Sequence, residues 1–395
     1  MDLPERFSDL PEHAWPRLRS LLDAHEPGGD PIVMTIGEPR HAPPDWLGEE
    51  LARHIGGFAK YPPNPGSDDL LEAISGWIAR RYGVTVPADG ILALNGTREG
   101  LYNAAMALCP ERKTGQRPAI LMPNPLYPVY AVAAKSVGAE AVFVDATRET
   151  GFLPDYAALD ADVLDRTAIA YLCSPSNPQG AVADMAYWRA LLELAERHDF
   201  RIFSDECYSE IWRDAPPPGI LEAAQEAGTD PERVLTFHSL SKRSNLPGLR
   251  SGFVAGGPRA IAEMRQLRAY AGAPLPLPLQ AVSARAWREE DHVEESRRIY
   301  HEKYRLADRI FADVAGYKGP AGGFLLWLPV EDGERAAERL WRETGVKVLP
   351  GAYFSIDTAR GNPGRGYIRA AMVAPTQQVQ EGLERLRTCL YDERG

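Results

Sequence analysis

No cysteine pair in this chain has C-x-x-C spacing. The four cysteines, Cys109, Cys173, Cys207 and Cys389, are scattered through 395 residues, three of them in apolar surroundings. That excludes a disulfide frame and a cysteine zinc site, and leaves reduced core residues of a cytoplasmic protein as the expectation. The eight histidines show no H-x-x-x-H spacing, so metal catalysis has no support. No apolar run approaches the roughly 18–20 residues of a membrane span. The start, Met1-Asp2-Leu3-Pro4-Glu5-Arg6-Phe7, lacks a basic stretch followed by an apolar one, so no signal peptide is expected. Neither G-x-G-x-x-G after the first strand nor G-x-x-x-x-G-K-S/T occurs, so nicotinamide and nucleoside triphosphate sites lack their fingerprints.

Positive charge is also scarce. Lys and Arg number 44 against 55 Asp and Glu, a net charge of −11. A nucleic-acid backbone would call for a basic stripe, so that partner is disfavoured. A small anionic substrate is not, because a few local arginines can bind one against an acidic background. The remaining composition, 44% hydrophobic and 25% charged, is that of a soluble chain with room for one large and one smaller domain.

Short apolar strands alternate with helices along most of the chain. An arm with a helix near residues 15–24 leads through the breaker Pro27-Gly28-Gly29-Asp30-Pro31 to a strand at 32–36. Residues 68–82 predict a helix, with Ser67 as N-cap, Asp68 and Asp69 in the first turn and Gly83 as the stop. Leu70, Leu71, Ile74, Trp77, Ile78 and Tyr82 share one face. Strands follow at 90–94, 119–122, 141–144, 168–173, 201–204, 234–237 and 252–255, with helices at 98–108, 127–137 and 183–198. This pattern implies a mainly parallel α/β sheet covered on both faces, with ligands bound beyond the strand C-terminal ends. The prolines at 274, 276 and 278 break the pattern. A long helix at about 280–313, with possible breaks, is expected after them, and then a smaller α+β region of strands and helices at 324–328, 335–344, 347–349, 367–372 and 377–391. The implied layout is an arm and part of the small domain at 1–45, a large domain at 46–280 and a small domain at 281–395.

Chemistry-bearing residues gather at those strand ends. Lys242 lies in Ser239-Leu240-Ser241-Lys242-Arg243-Ser244-Asn245. An amine held there among fixed cations would have a lowered pKa, as a Schiff base with pyridoxal phosphate requires. Asn95-Gly96-Thr97-Arg98 follows a strand and opens a helix, a place where backbone N–H groups and the helix dipole favour a phosphate. Asp205 sits just past an apolar strand, where a carboxylate calls for a cationic partner such as a protonated ring nitrogen. Tyr208 and Asn177 could donate to a ring hydroxyl oxygen, and Tyr127 could stack on a ring.

The motifs that carry a family resemblance are nine, in order. They are Ile36-Gly37-Glu38-Pro39, Lys60-Tyr61-Pro62, Asn95-Gly96-Thr97 and Asn124-Pro125-Leu126-Tyr127, then Ser174-Pro175-Ser176-Asn177-Pro178, Ser204-Asp205-Glu206-Cys207-Tyr208 and Ser239-Leu240-Ser241-Lys242, and last Gly248-Leu249-Arg250 and Tyr367-Ile368-Arg369. Over essentially its full length the chain resembles a fold-type I, class I/II aminotransferase dependent on pyridoxal 5'-phosphate. The resemblance implies that Lys242 forms the Schiff base and moves the proton, and that Asp205 pairs with the ring nitrogen. Asn177 and Tyr208 would bind the ring hydroxyl oxygen, with Tyr127 stacked on the ring. Gly96, Thr97, Arg98, Ser239 and Arg250 would hold the phosphate. Tyr61 would reach the phosphate of a neighbouring subunit, which implies a homodimer, and Arg369 with the Gly37 backbone would grip the substrate carboxylate. No metal is implied.

Around the site the wording is most similar to the N-succinyldiaminopimelate aminotransferases of lysine and diaminopimelate biosynthesis, especially from Phe237 to Gly256. That implies N-succinyl-LL-diaminopimelate and 2-oxoglutarate as substrates, and a second cation for the succinyl carboxylate. Arg98, Arg243 and Arg40 are the candidates. A broad-specificity aminotransferase or a C–S lyase would use the same parts. A non-catalytic cofactor-binding regulator would need a DNA-binding segment, and the arm before Ile32 is short and not basic.

Overall fold

The computed structural model describes residues 7, 8, 10 and 12–392. Residues 1–6, 9 and 11 of the expected arm and 393–395 at the other end lie outside the described ones. A seven-stranded sheet forms the centre. Its spatial order is Ile91–Leu94, Gly252–Gly256, Val234–Ser239, Arg201–Asp205, Thr167–Cys173, Ala119–Asn124 and Glu140–Asp145. All run parallel except Gly252–Gly256, which is antiparallel to both neighbours. The inner strands are buried along their length, which is why they read as continuous apolar runs rather than alternating ones. Separate apolar clusters fill the two faces. One is built around Trp77, Trp188 and Trp287, the other around Leu101, Tyr130 and Phe203.

This topology brings distant motifs to one edge. The C-terminal ends of Ile91–Leu94, Thr167–Cys173, Arg201–Asp205 and Val234–Ser239 deliver Asn95, Ser174, Asp205 and Ser239 there. The antiparallel strand starts at the same edge, directly after Arg250. The predicted helix Asp68–Tyr82 forms with those bounds. Ser67 accepts from the Leu70 N–H, and Gly83 takes the left-handed conformation at φ 67°.

A three-stranded antiparallel sheet lies in the C-terminal part, in the order Leu349–Pro350, Tyr367–Ala371, Leu325–Pro329. Arg369 sits on its middle strand. The helices Gly333–Thr344 and Thr376–Leu390 cover it with a core around Tyr300, Phe324 and Leu340.

Three expectations from sequence change, each for a local reason. The strand expected at 32–36 is only Ile32–Val33, paired with Val346–Lys347. Beyond it, the Thr35 and Gly37 carbonyls accept from Arg369 and Lys242 rather than from a neighbouring strand. The single strand expected at 347–349 is two short ones, because Val346–Lys347 and Leu349–Pro350 belong to different sheets. The long helix is two, Leu277–Arg288 and Asp291–Ile310. Its break lies where the buried Arg243 guanidinium donates to the carbonyls of Ala286 and Glu289 and satisfies the end of the first helix. That first helix starts inside the proline run. Pro278 fits its first turn, where the N–H would lack a partner anyway.

Candidate active site

Lys242 ends the strand-to-helix passage after Val234–Ser239, on the short helix Leu240–Arg243. Its Nζ donates to the Gly37 carbonyl and lies 5.5 Å from the centre of the Phe324 ring and 6.0 Å from that of Tyr208. Burial is the main force on it and lowers its pKa from 10.5 to about 8, with Arg369 and Arg250 pushing the same way. The sequence placed the lowering on nearby cations. They contribute, but the dry surroundings contribute more.

Asp205 closes the strand Arg201–Asp205 and is buried. One carboxylate oxygen accepts from the Tyr130 hydroxyl at 2.9 Å, the other from the Cys207 N–H at 3.4 Å. Burial still holds its pKa above the ordinary value, against the pull of those donors and of Lys242. Among the described residues no Lys, Arg or His pairs with it. Tyr130 was missed by sequence reasoning as the partner of Asp205. It lies 75 positions away, and nothing local signals the contact.

Arg369 is the second unusual charge. It is only 5% exposed. Its guanidinium donates to the Asn177 side-chain oxygen at 3.0 Å and to the Thr35 carbonyl at 2.7 Å. It rests 4.2 Å over the Phe354 ring, and its Nε has no hydrogen-bond partner. Burial lowers its pKa to about 10. Among the described residues no carboxylate pairs with it. Asn177 is thus brought to Arg369. Tyr208 is buried beside Phe324, with ring centres 5.4 Å apart. Phe324 and Phe354 carry no polar chemistry, so nothing in their local sequence singles them out.

At the other end, Gly96 caps the helix Thr97–Leu108 with φ 82°. That left-handed φ favours glycine, and the absence of a Cβ also lets the Arg250 guanidinium lie close against the backbone. Arg250 donates to the Asn95 carbonyl at 3.4 Å and has no carboxylate partner among the described residues. The Ser239 hydroxyl accepts from the Ser241 N–H at 3.1 Å. The Thr97 hydroxyl lies 3.1 Å from the Cys207 sulfur. Arg98 Nε donates to the Tyr127 hydroxyl at 2.6 Å.

Two sequence candidates fall elsewhere. Tyr61 is fully exposed and away from these groups within the single chain. Arg243 is buried, paired with Glu290 at 2.8 Å and donating to the Ala286 and Glu289 carbonyls, so its charge is already met within the chain. Arg40 is exposed, and Arg98 stands beside Tyr127. Of the three candidate tail cations, Arg98 alone is joined to a residue of the expected site.

A model of the family "Aminotransferase class I and II" matches residues 29–386. An LL-diaminopimelate aminotransferase of Dehalococcoides mccartyi is 30% identical over 398 residues, 98% of each protein. A 4-dedimethylamino-4-oxo-anhydrotetracycline transaminase of Streptomyces rimosus is 32% identical, over 96% of this chain and 99% of that one. Among solved structures, an aminotransferase from Neisseria meningitidis superposes with a TM-score of 0.93 at 36% identity, covering 97% of this chain and 99% of that one. This chain belongs to the class I and II aminotransferases, enzymes of the fold-type I architecture that depend on pyridoxal 5'-phosphate.

Proposed function

We propose that the enzyme transfers the amino group of a diaminopimelate-type amino acid to 2-oxoglutarate, at the site built around Lys242. The observation that carries this reading is the pairing of unmet charges. Among the described residues, a buried carboxylate without a cation and a buried guanidinium without a carboxylate both act electrostatically on, or are acted on by, the same desolvated amine. Buried charges are ordinarily paired, so each of these calls for a ligand group.

The unmet charges fit pyridoxal phosphate and an α-amino acid. Asp205 would face the cofactor's ring nitrogen, with Tyr130 and the Cys207 N–H holding the carboxylate in place. Asn177 and Tyr208 would donate to the ring hydroxyl oxygen, and Tyr127 would cover one ring face. The helix start at Gly96 and Thr97, with Arg98, Ser239 and Arg250, would take the phosphate. Arg369 would bind the substrate carboxylate in a two-pronged pair, helped by the backbone at Gly37. When bound, the cofactor supplies the electron sink that makes the substrate α-hydrogen acidic. Lys242 Nζ takes that proton as general base and later returns it as general acid. The lowered pKa of Lys242 serves both steps, because an amine near 8 gives and takes protons close to neutral pH.

For the substrate, two kinds of support differ in one group. The local motifs resemble those of enzymes for N-succinyl-LL-diaminopimelate. Several relatives at 30–31% identity are LL-diaminopimelate aminotransferases. Both substrates share a seven-carbon diacid frame, so a cation beyond Arg369 is expected, and the Arg98 side chain beside Tyr127 is our candidate for it. Mixing the holoenzyme with each compound and following the cofactor's absorbance tests this. Conversion by either compound at low concentration supports the reading. Conversion only by unrelated amino acids sinks it.

Ile55, Phe58, Tyr61 and Tyr270 are large, exposed and apolar or aromatic. The segments bearing them are tied together. Asn64 donates to the Arg265 carbonyl, and Arg268 donates to that of Asn64. Such a patch suits a homodimer in which Tyr61 serves the neighbouring site. Mixed dimers of Lys242→Ala and Tyr61→Ala chains should then recover activity that neither parent has. No recovery would refute the shared site.

A further inference from the structure

Lys303 has no role in the chemistry above, yet it is fully buried. Among the described residues no carboxylate pairs with it. Its Nζ donates instead to three neutral acceptors: His41 Nε2 at 2.8 Å, the Met372 carbonyl at 3.0 Å and the Ala374 carbonyl at 2.6 Å. Three acceptors match the three N–H bonds of an ammonium. A methionine would fill similar space without the cost of burying a charge, so packing alone does not explain a lysine here.

The acceptors belong to two segments that reach the site. His41 lies four residues after Gly37, and Met372 and Ala374 follow the strand that carries Arg369. The two segments also meet directly, through the Arg40 N–H to the Val373 carbonyl at 3.3 Å and the Ala371 N–H to the Met34 carbonyl at 2.8 Å. Because His41 Nε2 accepts, its proton is on Nδ1, which donates to the Ser296 hydroxyl at 3.3 Å. Asn245, three residues after Lys242, donates to the same hydroxyl. The His41 ring lies 4.6 Å from that of Tyr300, and Tyr300 stacks on Phe324 beneath Gly37.

We propose that Lys303 is a positioning residue for the substrate carboxylate: its ammonium fastens the segment bearing Gly37 to the end of the strand bearing Arg369. The proposal rests on reading Gly37 and Arg369 as the carboxylate grip. It adds a dependence on pH. The titratable groups that face Lys303 are Glu302 and Tyr300 on its own helix, the Tyr300 ring centre 5.1 Å from Nζ, and His41, while Glu295 faces His41. Burial brings Lys303 down to about 7 and His41 to about 4. His41 therefore stays a neutral acceptor at working pH, while Lys303 changes form. The neutral amine has two N–H bonds for three acceptors, so one tie is lost as pH rises past about 7.

The test compares holoenzymes carrying Lys303→Met, His41→Leu and His41→Gln with wild type, each assayed with the best amino donor of the wild type. Lys303→Met should raise KM for the amino acid about tenfold, with kcat within about threefold and the cofactor's absorbance unchanged. His41→Leu should raise KM in the same direction. His41→Gln, which keeps an acceptor, should restore most of it. The extra rise of wild-type KM above pH 7, relative to Lys303→Met, should vanish in the variant. An unchanged KM and pH profile overturns the proposal, and so does a joint fall of kcat, cofactor affinity and Tm without a KM split. Arg369→Lys serves as the control. If KM is unchanged there too, the carboxylate grip itself is misread, and this inference falls with it. If only the Arg369 variant responds, the grip stands and the Lys303 tie is refuted.

Discussion

Asp205 and Glu206 are neighbours in sequence, both buried carboxylates pushed up in pKa by desolvation, yet their surroundings are opposite. Glu206 points into the core behind the sheet. It accepts from the Ser204 hydroxyl at 2.8 Å, the Ile220 N–H at 3.0 Å and the Tyr82 hydroxyl at 3.0 Å, with His238 Nε2 at 3.5 Å. Asp205 faces the other way, with one good donor and one long one. The cations divide likewise. Arg243 and Arg268 are buried against Glu290 and Glu99, whereas Arg369 is buried against no carboxylate among the described residues. A folded chain satisfies the charges that hold it together. Lys303 is met by three neutral acceptors, whereas Asp205 and Arg369 keep fewer partners, as charges facing a ligand would under the proposed reading.

Five substitutions or titrations would sharpen or break that division. Lys242→Ala should lower turnover by roughly 10⁴-fold and abolish the cofactor's visible band, since on the proposed reading it removes the group that moves the proton. Wild-type rates in this variant would refute the assignment. Asp205→Asn should cost about 10³-fold in kcat, the upper range for losing one preorganised electrostatic partner. The cofactor-free protein should keep its Tm, because the variant also removes a poorly met buried charge. A matching fall in Tm would place Asp205 among the structural charges. Arg369→Lys should lower kcat/KM about 10²-fold through loss of the two-pronged geometry, read from steady-state kinetics with amino and oxo acids.

The fourth test is a titration. Lys242 is near 8 in the folded chain against an ordinary 10.5. The unfolded chain binds more protons between those values, so this group's contribution to stability rises with pH across the window and is least favourable below 8. The cofactor-free enzyme should therefore capture pyridoxal phosphate roughly tenfold faster per pH unit up to about 8, then level off. A flat profile by stopped-flow absorbance would mean that the amine is not desolvated. The smallest effect on catalysis is expected from Glu206→Gln. It should lower stability by about 1–3 kcal/mol in denaturant melts through mismatched donors, while kcat stays near wild type. A large kcat loss at full stability would erase the contrast with Asp205.

Much of the site was legible in the sequence because it lies in short, local motifs. Gly96 before a helix, Asp205 after an apolar strand and Lys242 in a hydroxyl-rich turn each announce a strand end or a helix start. The helix Asp68–Tyr82 was legible for a similar reason, since its cap, face and stop lie within one short stretch from Ser67 to Gly83. What the sequence did not show was long-range. Tyr130 meets Asp205, Phe324 lies under Lys242, and Arg243 ends a helix more than forty positions away, with no local pattern to mark any of these. Arg243 is the instructive error. Its place beside Lys242 suggested a substrate cation, but one step along a helix turned it into the core.

By itself, the sequence determined the architecture and the chemistry of each group. Apolar periodicity sets strand and helix, and a lysine, a carboxylate or an arginine keeps its character wherever it is placed. Only the tertiary structure decided which charges would be met. Partner geometry depends on elements brought together across the chain, and at similar burial it is the partners that separate Asp205 from Glu206 and Arg369 from Arg243.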